Sequence, residues 1–436
     1  MLLRYLKSLI YNSVAELRVN SALKTVVFMK LILFLFFMLC QPIVAQDIDG
    51  TWKGTLEAGT QRLTIVLRVS TAQNTVTMDV PEQGVERLPL KVNTLRADSI
   101  DVAFDRLALR IAAVPTSGAL VGRFQQGMFA TPLTLRPGTV TYNRPQQPQP
   151  PYPYETRQVT FRNDNDCVLL AGTLTLPVGY KQGRRVPVAL MVTGSGPQNR
   201  DEELFHHKPF FVIADYLARH GIATLRYDDR GVAASTGNFA TATTHDFVAD
   251  ARCGLAWLKA TRMFSKVGVV GHSEGGMVAF MLASEHLPDF IVSLAGPACR
   301  IDTMMVMQLN GLGKAQGATA NVVADTREVR SMLLRQANTP WMRQFIDTDM
   351  RPYVRATRCP VLALGGEADL NVPPAINTPA LKAGLSHNQH ATIKVYPGLS
   401  HSFQFNPSGL PSNAVNIDQT IAPCVLADIA RWINAL

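Results

Sequence analysis

The pattern of apolar and polar residues divides the chain into parts of different character. Between Asp49 and Thr139, short segments such as RLTIVLRVS and DSIDVAF alternate apolar and polar positions, with turn residues between them. Alternation with a period of two is typical of strands with one buried face, and repeated short strands predict an all-β sandwich or small barrel over residues 47–140. We expect Trp52 to fill one end of its core rather than to stack on a sugar.

A proline-rich segment follows this region. The stretch NRPQQPQPPYPYETR, residues 143–157, holds five prolines, which cannot donate hydrogen bonds within a sheet. It therefore predicts a polyproline-like linker over residues 141–157.

From residue 158 to 436, apolar runs alternate with segments of helical period. QVTFRN and AGTLTLPV predict an antiparallel pair, and VPVALMVTG, ATLRYDD, KVGVV, FIVSLAG, PVLALGG and TIKVYPG predict further strands. Helices are predicted over Pro209–His220, His245–Arg262, Met277–His286 and Ile417–Leu436. This alternation is typical of a largely parallel sheet covered on both faces. Helical sequence over about residues 297–358 interrupts it and predicts a lid.

The strongest chemical motif is the hexapeptide GHSEGG at a predicted strand-to-helix junction. Gly271, Ser273 and Gly275 fit the nucleophile elbow G-x-S-x-G, in which small residues let strand and helix approach closely. A serine that only caps a helix is the simpler interpretation. A base and an acid later in the chain would decide between the two.

Two later strands supply both groups. Asp369 follows the strand PVLALGG and His401 follows TIKVYPG, so the order Ser273, Asp369, His401 is that of α/β-hydrolases. Glu367 is the competitor for the acid. The competitors for the base are His387 and His390, which we expect to be solvated, and His272, which we expect to pack.

An oxyanion hole requires backbone donors near the serine. The backbone N–H of Glu274 is one candidate, and the loop GSGPQNRDE after the strand VPVALMVTG supplies the other. Pro197 has no N–H, so the donor is Gly196 or Ser195, and we favour Gly196. We expect the side chains of Gln198, Arg200 and Asp201 to brace this loop rather than to contact substrate.

The N-terminus changes the interpretation of the charge. MKLILFLFFMLCQPIVAQ begins at Met29 and is typical of a secretory signal with cleavage after Ala45, which predicts a periplasmic or secreted protein whose translation starts at Met29. Its apolar run is too short for a comfortable membrane span, so we expect none in the mature protein. Residues 1–46 hold five of the basic side chains against one acidic, from a formal net charge of +9, and the remainder shows no basic cluster for nucleic acid.

GHSEGG, GSGPQNRDE, LRYDDRG and the pair GGEADLNVP and GLSH together resemble EstD-like exported carboxylesterases of the α/β-hydrolase superfamily, which are close to serine aminopeptidases and Xaa-Pro dipeptidyl-peptidases. The resemblance covers about residues 155–436, and the β-rich N-terminal region is also similar. It implies hydrolysis of short acyl esters by Ser273, His401 and Asp369. Relatives usually continue after YDDRGV with glycine and lysine, where this chain has Ala233 and Ala234. We expect Asp228 and Arg230 to brace that loop.

The sequence therefore predicts an exported serine esterase that acts on a small-molecule ester without cofactor or metal. An aminopeptidase with the same triad remains open, because the predicted lid offers carboxylates for a substrate ammonium: Asp302, Asp325, Glu328, Asp347 and Asp349. In a different class, the β-domain could bind glycans or another surface.

Overall fold

The N-terminal region is a barrel. A computed structural model describes residues 48–58 and 61–436, and the predicted signal and its cleavage site lie outside them. Eight strands close into an antiparallel barrel in sequence order: β1 (Gly50–Ala58), β2 (Gln61–Ser70), β3 (Thr75–Val80), β4 (Val85–Arg96), β5 (Ser99–Phe104), β6 (Leu109–Thr116), β7 (Ala119–Gln126) and β8 (Phe129–Pro137). Of the sandwich and the barrel, the barrel is the architecture that forms.

Trp52 belongs to the barrel core. Its side chain is 3% exposed, and its indole Nε1–H donates to the backbone carbonyl of Ile48 at 2.8 Å. A buried indole cannot stack on a sugar, so Trp52 gives no support to glycan binding.

The C-terminal region is built on an eight-stranded mixed sheet. Its strands are β9 (Thr156–Asn163), β10 (Val168–Thr175), β11 (Val186–Val192), β12 (Ala223–Tyr227), β13 (Phe264–His272), β14 (Ile291–Leu294), β15 (Val361–Gly366) and β16 (Ala391–Tyr396). They lie in the order β16-β15-β14-β13-β11-β12-β10-β9. The strand β10 is antiparallel to β9 and β12, and the remaining pairs are parallel.

Helices cover both faces of this sheet. They are α1 (Pro209–Arg219), α2 (Thr244–Ala260), α3 (Glu274–Ser284), α4 (Ile301–Ala315), α5 (Thr326–Gln336), α6 (Pro340–Asp347), α7 (Arg351–Ala356), α8 (Pro374–Gly384) and α9 (Pro423–Asn434). Neighbouring residues of β11 enter opposite cores, with Leu190 packed on the side of α2 and α3 and Met191 on the side of α1 and α9. The continuous apolar runs in the sequence are therefore strands buried on both faces.

The helical insertion predicted over about residues 297–358 comprises α4 to α7, between β14 and β15. Its helices bury apolar residues, among them Met304, Val329, Phe345 and Val354, against the α2 and α3 side of the sheet. The insertion is therefore packed onto the core of this region.

The prediction for the last helix places its start too early. Residues 411–416 form a 3-10 turn, and α9 begins only at Pro423, where a proline needs no N–H partner. Ile421 and Ala422 are buried and Ile417 is half-buried, but the chain from Ile417 to the proline is in loop conformation.

The proline-rich segment is anchored to the C-terminal region. The guanidinium of Arg144 donates to the backbone carbonyls of Phe205, Val415 and Ile417 at 2.8–3.0 Å. The Gln146 amide bonds the backbone around Ile421. The segment is irregular, with a hydrogen-bonded turn from Arg144 to Gln147, and it is fixed in place and does not act as a free spacer. Over residues 48–58 and 61–436, every helix is too short or too polar to cross a bilayer.

Candidate active site

Ser273 occupies a sharp turn between β13 and α3. Its backbone has φ 53° and ψ −118°, a conformation that is strained for a residue with a side chain. A Cβ on Gly271 would lie 2.0 Å from the Gly275 carbonyl oxygen, and a Cβ on Gly275 would lie 2.0 Å from the Val192 carbonyl oxygen. Both glycines are therefore required by close backbone contact, as in a nucleophile elbow.

Asp369 and His401 meet at the carboxyl ends of β15 and β16. His401 Nδ1 lies 2.9 Å from Asp369 Oδ2, and the Asp369 side chain is almost fully buried. Its other oxygen accepts the backbone N–H groups of Asn371 and Val372, both at 2.8 Å. The competing acid, Glu367, accepts instead from the backbone of Gly398 at 3.1 Å. The geometry thus fixes the orientation of one imidazole through one carboxylate.

Ser273 and His401 line the same cavity, of about 270 Å³. The helical insertion contributes mostly apolar and aromatic side chains to the lining, Met304, Met305, Trp341 and Phe345, together with the amide of Gln308. Further apolar side chains of the lining come from other parts of the chain: Leu204, Phe205, Phe210, Ile213, Phe403 and Ile421. The competing histidines His387 and His390 are exposed and lie outside this lining.

The loop after β11 lies beside the serine. A Cβ on Gly194 would lie 3.2 Å from Ser273 Cβ, and Gly194 and Ser195 both line the cavity. The favoured oxyanion donor, Gly196, is not among the lining residues. The Gly194 N–H is already bound to Glu202 Oε1 at 2.7 Å. Among the residues that the structure describes, neither the Ser195 N–H nor the Gly196 N–H has a hydrogen-bond partner, so Ser195 is the better placed donor because it lines the cavity.

The carboxyl group of Asp229 holds this loop in place. Asp229 accepts the Thr193 hydroxyl at 2.8 Å and the Gln198 N–H at 2.9 Å. Burial raises the pKa of Asp229 to about 8, against the lowering effect of these two hydrogen bonds. The loop is therefore braced by a carboxyl group that is protonated near neutral pH.

Four charged side chains named from the sequence, Arg200, Asp201, Asp228 and Arg230, have bracing roles. Arg200 pairs with Asp228 at 2.7 Å, and Asp201 pairs with Arg226. Arg230 contacts the carboxylates of Asp166, Asp246 and Asp250 at 2.7–3.3 Å. These pairs hold the loops around the site and leave Arg200, Asp201 and Arg230 outside the cavity lining.

His272 has a role that the sequence analysis missed. Its Nδ1 lies 2.9 Å from Glu202 Oε1, its Nε2 lies 3.2 Å from the His401 carbonyl oxygen, and it lines the cavity. Burial disfavours its charged form, but the Glu202 carboxylate outweighs burial and raises the pKa of His272. The pair therefore links the loop after β11 to the loop that carries His401.

The side chain of Glu274 was also missed, because only its backbone was considered. The carboxyl is 2% exposed and accepts from the Thr244 hydroxyl at 2.6 Å and from the Trp341 indole at 2.9 Å.

Over the described ranges, no group of three or more His, Cys, Asp or Glu side chains is arranged to hold a metal ion.

Part of the chain is similar in sequence to known proteins. Residues 206–408 match the family model "Serine aminopeptidase, S33". The chain is 26% identical over 294 residues to Esterase EstD of Thermotoga maritima, covering 65% of this chain and 68% of that protein. Residues 156–436 form an α/β-hydrolase domain. The resemblance to EstD-like hydrolases and the predicted fold class are thereby confirmed.

Two solved structures illustrate the similarity of the fold. The Pyrococcus furiosus esterase Pf2001 is 17% identical, with a TM-score of 0.47 over 68% of this chain and 99% of that one. Est1E from Butyrivibrio proteoclasticus with ferulic acid bound is 17% identical, with a TM-score of 0.42 over 62% of this chain and 99% of that one.

Proposed function

We propose that the hydrolase domain cleaves small, uncharged carboxylic esters through an acyl-enzyme intermediate on Ser273. One observation carries the proposal: His401, held by Asp369 at 2.9 Å, lines the same apolar cavity as a serine in a nucleophile elbow. A serine hydroxyl needs a base to become a nucleophile, and the base needs an oriented tautomer.

In this mechanism the Asp369 carboxylate accepts the Nδ1–H of His401, which leaves Nε2 free to accept a proton. His401 takes the proton of Ser273 Oγ as the oxygen attacks the ester carbonyl, and it then protonates the departing alcohol. The backbone N–H groups of Glu274 and Ser195 stabilise the oxyanion. Water activated by His401 hydrolyses the acyl-enzyme and restores the serine.

The cavity favours an ester over the amino terminus of a peptide. An aminopeptidase must bind an ammonium group, which requires a carboxylate facing the substrate. Glu202 supplies the single carboxylate side chain in the described lining, and it is bound to Gly194 and His272.

The acidic residues of the insertion do not supply the missing carboxylate. Four of them pair with arginines: Asp302 with Arg300, Asp325 with Arg327, Asp347 with Arg330 and Asp349 with Arg351. Glu328 accepts the Ala324 N–H. None of the five lines the cavity. The walls therefore suit neutral acyl and alcohol groups, and the volume of about 270 Å³ suits short acyl chains.

The proposal is tested by labelling and turnover. We expect Ser273→Ala to abolish labelling by a fluorophosphonate and to lower kcat by about four to six orders of magnitude, because the triad acts as a unit. Circular dichroism should show an unchanged fold. Undiminished labelling of the variant would assign the nucleophile to another residue.

A substrate panel separates the two candidate activities. Purified protein should hydrolyse p-nitrophenyl esters from acetyl to octanoyl and leave aminoacyl-anilides intact. Faster turnover of the anilides than of every ester would support the aminopeptidase instead.

A further inference from the structure

The Glu274 carboxyl group is buried with unequal surroundings at its two oxygens. Oε1 accepts two hydrogen bonds, from Thr244 Oγ1 and Trp341 Nε1. Oε2 is also buried, and no well-formed hydrogen bond reaches it within the described part of the chain. The Ser195 side chain lies close enough to favour the charged form of the acid, without completing such a bond.

This asymmetry indicates a neutral acid. A buried carboxylate with an unpartnered oxygen is destabilised, because a charged oxygen loses its contact with water and gains no hydrogen bond, whereas a protonated acid loses far less. Burial raises the pKa of Glu274, against the hydrogen bonds from Thr244, Trp341 and Ser195. The protonated group would still accept from Trp341 and could donate toward Ser195.

Trp341 connects this acid to the substrate cavity. It lies in α6, stacks on Phe345 with ring centroids 4.8 Å apart, and lines the cavity together with Phe345. A second bond fixes the same helix, because the Thr244 N–H donates to Gln344 Oε1 at 3.1 Å. The position of the indole is therefore set by contacts to α2 and to the turn that carries Ser273.

We assign the wall that Trp341 forms to the acyl side of the cavity. The leaving alcohol must reach His401, so the walls next to His401, with Ser402 and Phe403, belong to the alcohol. The insertion supplies one of the apolar parts of the lining, with Met304, Met305, Trp341 and Phe345, and we assign the acyl chain to this part.

We propose that Glu274 is a positioning residue that sets acyl-chain selectivity by holding Trp341 as the end wall of the acyl site. This rests on the proposed function, since it concerns the same cavity. Without the hydrogen bond, the indole is free to turn away, which loosens the fit of short chains and admits longer ones.

Kinetics on p-nitrophenyl acetate, butyrate and octanoate test the proposal. Glu274→Ala should raise KM for the acetate by about tenfold, the equivalent of one lost hydrogen bond. KM for the octanoate should fall relative to KM for the acetate. Trp341→Phe, which keeps an aromatic ring without the donor, should shift the ranking in the same direction. Glu274→Gln should restore the parent's ranking, because a neutral amide can accept from Trp341 and donate toward Ser195.

Arg343→Ala provides the matched control. Arg343 is exposed on the same helix and bonds only the Asn338 carbonyl among the described residues, so this change should leave the ranking unaltered. Acrylamide quenching gives a readout that is independent of activity. Subtracting the fluorescence of the same protein with Trp341→Phe added isolates the emission of Trp341. Acrylamide should quench this emission more strongly in Glu274→Ala than in the parent or in Glu274→Gln.

Two results would overturn the proposal. One is an equal loss of kcat for all three esters in Glu274→Ala with KM unchanged, which would assign the side chain to the oxyanion hole. The other is Glu274→Gln behaving as Glu274→Ala does, which would require a charged carboxylate. If the parent cleaves no ester, the proposed function fails, whereas the quenching comparison still reports whether Glu274 holds Trp341.

Discussion

Asp369 and Glu367 lie two positions apart in the sequence but have different partners. Asp369 bonds His401 Nδ1, and Glu367 bonds a backbone N–H. We expect Asp369→Asn to lower kcat by about four orders of magnitude near neutral pH, because the amide N–H favours the wrong imidazole tautomer. Glu367→Gln, the matched control, should cost less than about tenfold. The measurement is kcat/KM on one short acyl ester, and small, equal losses in both variants would contradict the triad.

Asp229 makes stability depend on pH. Its pKa, about 8 in the folded protein, lies above the ordinary value of 3.8, so the folded state holds a proton that the unfolded state has released. Its stabilising contribution is therefore present at low pH and is lost as pH rises toward 8, by at most about 1.4 kcal/mol per pH unit.

Asp229→Asn should remove this dependence, because the neutral amide can still bond Thr193 and Gln198. Between about pH 5 and pH 8, the melting temperature should fall less steeply with rising pH for the variant than for the parent. A parallel decline in both proteins would show that Asp229 is ionised in the folded state throughout.

At the level of single residues, a functional role could be predicted from the sequence where the neighbouring residues along the chain indicate it. Ser273 stands between glycines, and Asp369 and His401 each follow a strand. The partners of His272 and the Glu274 carboxyl could not be predicted, because Glu202 and Trp341 lie about 70 positions away in the chain. Such contacts depend on how loops from different strands meet, which no local pattern encodes.

The elbow between β13 and α3 depends on backbone contact. A methyl group on Gly275 would overlap the Val192 carbonyl, so we expect Gly275→Ala to lower the melting temperature by at least about 5 °C or to prevent folding. Gly365→Ala in β15 is the control, because a Cβ there meets nothing within 4 Å. Differential scanning fluorimetry makes the comparison, and equal stability of the two variants would refute the close packing.

Strands and helices with a clear pattern of apolar residues were predictable, whereas the residues at which they begin and end were less so. The strands of the hydrolase sheet follow from continuous apolar runs. The start of α9 at Pro423 did not follow, because Ile417 and Ile421 satisfy a helical apolar period while lying in irregular chain. The loop after β11 likewise holds two glycines, and only the fold shows that Gly194 approaches Ser273.

At the scale of the whole chain, we propose export. The motivation is the sequence from Met29 to Ala45, with its lysine, apolar run and small residue before the cleavage point. Expression in a Gram-negative host followed by N-terminal sequencing should show a mature chain that begins at Gln46 in the periplasm or medium. A cytoplasmic product that retains the residues before Gln46 would contradict this.

The closed barrel has a consequence for pairing between molecules of this chain. In a closed barrel each strand is bonded on both sides, so no backbone edge is left to pair with a neighbouring molecule. The hydrolase sheet does end in two edges, β9 and β16. The first carries the exposed charges of Arg157 and Arg162, and the second carries Lys394, paired with Asp428. Replacing these charges with apolar residues would turn the two edges into sites for intermolecular sheet growth.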